Sequence, residues 1–176
     1  MDPRLSDHYA RVRHLREAFA EANERLVVRL RRVSDEAAER APGDGWSAAQ
    51  IGWHVAKATT RFAGLVSGDT PGTQRLAADF RARPWAEVAA AIPGRLQASG
   101  SLQPPRGVRR SDAIAELEAS AMRMARAFDA LTPERGGGFG LAHPITGPIT
   151  VYQIGEWATA HVIRHNRQAK RVLGEE

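Results

Sequence analysis

Apolar residues recur every three or four positions along four long segments of this chain, and that period suits helices that each bury one stripe. In the first segment, about Ser6 to Arg40, the stripe is Leu15, Phe19, Ala22, Leu26, Leu30 and Val33. The second, from Ser47 to about Ser67, carries Ile51, His54, Val55, Ala58, Phe62 and Leu65. The third takes Ser111 as its expected N-cap in "RRSDAIAELEASAMRMARAFDAL" and stops at "TPERGGG". The fourth runs from Thr150 to about Leu173 with Ile154, Ala158, His161, Val162, His165, Ala169 and Val172 on one face. Ser47 with Gln50, and Thr150 with Gln153, have capping-box spacing, in which each side chain satisfies an orphan backbone N–H.

Glycine and proline clusters, "APGDG" and "SGDTPG", punctuate these segments. The stretch from Gly68 to Arg110 is too long for a tight turn and suits a crossover between parallel second and third helices. It holds a short helical pattern around Trp85 to Ala91. No alternating strand of useful length is found, and no internal repeat. The expected fold is all-α: one domain over residues 1–176, a four-helix bundle with a long crossover between helices 2 and 3.

Composition narrows the function. The 176 residues include no cysteine, so disulfides and thiolate metal sites are excluded. Any metal must be held by imidazole, carboxylate or water. The N-terminal stretch is charged and unlike a signal peptide. The longest uncharged run, "GGGFGLAHPITGPITVYQIG", is broken by glycines, prolines and His143, which argues against a membrane span. A cytoplasmic protein is expected. The net charge of +5 and pI near 10.6 invite a nucleic-acid reading. Yet arginines alternate with glutamates along the first helix, and the one basic cluster, "PPRGVRRSD", has no aromatic residue to stack on bases. No nucleic-acid partner is expected, and a small-molecule substrate is.

The chemistry concentrates on three histidines. His161 and His165 are four residues apart, which on a helix leaves their Cβ atoms about 5–6 Å apart on one face. That face is the apolar stripe, while Arg164, Arg167, Lys170 and Arg171 lie opposite. His54 also sits on a stripe. Three inward imidazoles need partners for their N–H groups and lone pairs, and one shared cation would engage a lone pair on each. Three neutral nitrogens leave a coordination position free for water or substrate. His8 and His14 fall on different faces of the first helix and are expected in solvent. His143, in "AHPITGPIT", is read as shaping its loop, with a pocket role as the alternative. Gln168 shares the histidine face and could bond a metal-bound water, Trp53 could line the pocket mouth, and Tyr152 could offer a hydroxyl. Glu156 is read as an exposed charge.

The blocks "GWSAAQIGWHVAKA" and "HPITGPITVYQIGEWATAHVIRHNRQAKRVLG" resemble the DinB/YfiT-like superfamily, in which a "WS…H" helix supplies one metal ligand and a late HxxxH supplies two more. The resemblance implies His54, His161 and His165 as ligands of a divalent metal, nickel, zinc, iron or manganese. It also implies, for some relatives, transfer of a low-molecular-weight thiol to an electrophile. With no cysteine in the chain, the sulfur would come from a cosubstrate. A metal-dependent thiol S-transferase or hydrolase is the expected function. The alternative is a non-catalytic, stress-associated metal-binding bundle, with a homodimer through an apolar helix face compatible with either.

Overall fold

A computed structural model of the chain describes residues 3–94 and 100–175. Four long helices dominate it: α1 (Pro3–Arg31), α3 (Ala48–Ser67), α5 (Arg110–Asp129) and α7 (Val151–Val172). Shorter helices are α2 (Asp35–Glu39), α4 (Trp85–Ala91) and α6 (Pro133–Gly138). The long helices pack as a ring, α1 against α5 and α7, and α3 against the same two. Their stripes meet in one apolar core containing Leu15, Phe19, Leu26, Leu30, Ile51, Val55, Leu117, Met124, Phe128, Ile154 and Val162.

Both capping boxes are present at α3 and α7. The long first segment, however, is two helices. Ser34 leaves the helical conformation and accepts the Ala37 N–H, starting α2 afresh. The break is stabilised from a distance. Arg110 donates to the carbonyls of Leu30, Arg31 and Val33 at the end of α1 and pairs with Asp35 of α2. That use of Arg110 also moves the start of α5. Arg109 is the N-cap, and the Ser111 hydroxyl turns to the Asp112 carboxylate instead. At the other end of α3, Gly68 adopts φ +98 and closes the helix, and Arg135 binds the loose carbonyls of Leu65 and Val66.

The expectation of no useful strand fails. A three-stranded antiparallel sheet forms in the order β1 (Thr73–Arg75), β2 (Phe139–His143) and β3 (Gly147–Thr150), with Thr73 opposite Leu141 and Leu141 opposite Ile149. The strands are three to five residues long, and glycine or proline interrupts β2 and β3, so they carry no alternating pattern to read. Their pairing joins the connector after α3 to the hairpin before α7. The sheet thereby carries β3 directly into the N-cap Thr150 of the histidine-bearing helix.

Glycine lets α7 approach its neighbours. A Cβ at Gly155 would lie 2.8 Å from Phe128 Cε1 and 3.4 Å from Leu15 Cδ1. Gly155→Ala should therefore cost about 1–3 kcal/mol through overpacking. In thermal melts that loss should appear as a drop of several degrees, on the order of 2–4 °C per kcal/mol. Shortening Phe128 to leucine beforehand should shrink the penalty.

Candidate metal centre

The site is built on the seam between α3 and α7. His54 lies two turns into α3, on its buried side, and His161 and His165 lie one turn apart on α7. One nitrogen from each ring falls within 4.8 Å of the other two. His54 Nε2 is 3.2 Å from His161 Nε2, and the ring centroids of His161 and His165 are 4.4 Å apart. No carboxylate joins the group among the described residues.

Two of the rings are oriented by their second nitrogens. His54 Nδ1–H donates to the Leu102 carbonyl at 2.8 Å, which leaves a lone pair on Nε2 facing His161. His165 Nδ1–H donates to Gln168 Oε1 at 2.8 Å, leaving its Nε2 lone pair free. Gln168 thus binds an imidazole rather than reaching past it. His161 is different: its Nδ1 is out of water and has no hydrogen-bond partner.

Electrostatics keep the rings neutral. Burial, then the neighbouring His165 and His54, hold His161 well below the ordinary imidazole range. His165 is pushed down to about 4, first by burial and then by His54. Burial also lowers His54, partly opposed by its bond to Leu102. Three neutral imidazoles, two of them with lone pairs directed inward, form a donor set that suits a divalent transition cation. Such ions take imidazole nitrogen at about 2.0–2.1 Å, so donors spaced as these are can reach one ion.

Aromatic rings flank the cluster along the seam. Trp46 lies against His54 at 4.9 Å between centroids, Phe62 packs edge-on to His161 at 5.8 Å, and Trp157 follows at 6.4 Å from Phe62. The neighbour of His54 is therefore Trp46, while Trp53 sits half-buried beneath Lys57 Nζ at 5.4 Å. His143 does shape its loop: its Nδ1 accepts the Ile145 N–H at 3.2 Å. Its ring also packs edge-on against Trp157 at 4.7 Å.

Four sequence expectations need correction. His14 is exposed, but His8 is buried, with Nδ1 2.6 Å from the Tyr152 hydroxyl. Tyr152, expected to offer a hydroxyl to the site, consequently turns it to His8 of α1. Glu156 is not a free surface charge. It pairs with Arg11 at 3.2 Å, its Oε2 is buried without a partner, and burial raises its pKa. Arg164, placed on the outer face by periodicity, is half-buried. It donates to the carbonyls of Pro93, at 3.1 Å, and Gly94, and its charge depresses both His161 and His165.

A helical protein with three histidines gathered between two long helices is the class this geometry defines. The model of the DinB superfamily matches residues 18–169, and the chain belongs to that superfamily. Among solved structures, a conserved protein from Enterococcus faecalis is similar, with a TM-score of 0.63 at 16% identity. The match covers 92% of this chain and 94% of that one, and at this identity it shows a shared fold. No curated protein matches the chain. Among the described residues, no helix is long and apolar enough to cross a membrane.

Neutral histidines make a testable demand on stability. All three fold with depressed pKa values, so the unfolded chain binds protons more readily than the folded one below the unfolded imidazole pKa. Stability conferred by the neutral cluster is complete above about pH 6.5 and is lost as pH falls toward the folded values. The melting temperature of metal-free protein should fall between about pH 7 and pH 5, and His165→Asn should flatten that fall.

Proposed function

We propose that His54, His161 and His165 hold one divalent cation, and that the protein uses it as a metal-dependent enzyme on a small-molecule substrate. The favoured reaction is transfer of a low-molecular-weight thiol to an electrophile, with hydrolysis as the other use of the same centre. The observation that carries the reading is the convergence of three neutral imidazoles, two of them with lone pairs aimed inward by Leu102 O and Gln168. Membership in a superfamily of metal-binding proteins supports it. The bundle is read as one domain over residues 1–176, with the stretch between α3 and α5 as a crossover.

A bound divalent cation supplies Lewis acidity, lowering the pKa of a coordinated thiol or water so that it reacts as the anion. The chain does the rest. Its three imidazoles add no negative charge, so the cation's full charge acts on the incoming ligand. Leu102 O and Gln168 fix which nitrogen of His54 and His165 carries the proton, and so which faces inward. Trp46, Phe62 and Trp157 restrict water along the seam. The absence of any cysteine means that the attacking sulfur belongs to a second substrate.

Protein purified without an immobilised-metal column should contain close to one divalent ion per chain, and His54→Ala should retain below about a tenth of that. A wild-type content equally low would sink the metal reading. Gln168→Leu should keep the fold but weaken metal affinity about 10- to 100-fold, by freeing the His165 ring. Consumption of thiol with an epoxide or chloro-aromatic compound should stop on chelation and return when metal is restored.

A further inference from the structure

The charge around the cluster is one-sided. Three neutral imidazoles leave a bound divalent cation uncompensated, and no carboxylate lies among them in the described residues. Beside them stands a further cation, Arg164, three residues beyond His161 and adjacent in sequence to His165. Its guanidinium holds only the neutral carbonyls of Pro93 and Gly94. Among the described residues its charge has no carboxylate within ion-pair distance, whereas Lys57 of α3 is matched by Glu116 of α5 at 3.1 Å. A half-buried guanidinium bound to carbonyls alone retains donors, and planar geometry, for an anion.

This conclusion rests on the reading of the triad as a metal centre that takes a thiol. From the position of Arg164 we infer that it is the anion anchor of that centre, and that the preferred ligand is a small thiol bearing a carboxylate. With a cation held by His54, His161 and His165, the sulfur would bind as the thiolate, its proton passing to solvent, and Arg164 would hold the carboxylate. Neutral carbonyls leave the charge of the guanidinium unmatched, and a carboxylate on its remaining donors adds an opposite charge in bidentate geometry. The guanidinium selects among thiols and leaves the metal site itself intact.

The test uses cobalt(II)-loaded full-length protein, whose near-ultraviolet sulfur-to-cobalt charge-transfer band reports thiolate binding. Mercaptopropionate and mercaptopropanol share the sulfur and chain length and differ in charge. At low salt the carboxylate-bearing thiol should bind about tenfold more tightly or better, the scale of one charge-assisted pair. Arg164→Gln keeps donors for the Pro93 and Gly94 carbonyls but removes the charge. It should cut the preference to within about twofold while leaving mercaptopropanol affinity and cobalt content unchanged. Arg164→Lys, which keeps charge but loses the fork, should retain part of the preference. Equal affinity for the two thiols, or a preference that survives Arg164→Gln, would overturn the assignment. If neither thiol produces the band, the thiol reading of the metal centre fails. Calorimetric titration with succinate against succinamide then decides the anion claim alone. Binding of succinate that is lost in Arg164→Gln supports it, and succinate binding that is absent or indifferent to the substitution overturns it.

Discussion

Three imidazoles packed between two helices cannot all carry a proton, and much of the site follows from that constraint. Rings whose nitrogens approach to 3.2 Å would repel strongly if charged, and burial raises the cost further. The cluster must therefore be neutral, and a neutral imidazole has one donor and one acceptor that need opposite partners. For His54 and His165 the donor is satisfied outside the cluster and the acceptor is left inside. The arrangement converts an electrostatic problem into a set of inward lone pairs. His161, at the centre, lacks the outer partner and is held instead by Phe62 and its two neighbouring rings.

How much of this was legible in the sequence depends on whether the signal was local. His54, His161 and His165 each sit on an apolar stripe of a long amphipathic helix, so their inward direction follows from the 3.6-residue period alone. The capping boxes were legible for the same reason. His8 was legible by the same rule and was misjudged: seven residues before Leu15, it shares the Leu15–Phe19 face and is buried there, with Tyr152 from the far end of the chain as its partner. Glu156 was not legible, because Arg11 of α1 covers it. The sheet was invisible because strands of three to five residues gain their identity from pairing between distant segments. Trp46 precedes the helix it serves, outside any periodic pattern, so Trp53 looked like the better neighbour of His54.

Arg164 shows where periodicity misleads. A helical wheel gives the direction of a Cβ atom but not the reach of a long side chain. From the edge of the stripe its guanidinium extends to the connector, where Pro93 and Gly94 offer carbonyls. Similar ties recur along this connector: Gln50 binds the Pro105 carbonyl and Gln153 binds that of Arg83. The long helices thus hold the intervening chain by its backbone, and that chain in turn completes the histidine cluster.

The two oriented histidines are consequently open to different kinds of genetic change. Gln168 is a side chain, and one codon substitution removes the group that turns His165. The partner of His54 is a main-chain oxygen, which every residue type at position 102 would supply. Point substitution there leaves the oxygen in place, whereas gain or loss of a single residue in the connector shifts it out of register. Among relatives, control of one ring would be recorded in residue identity and control of the other in segment length.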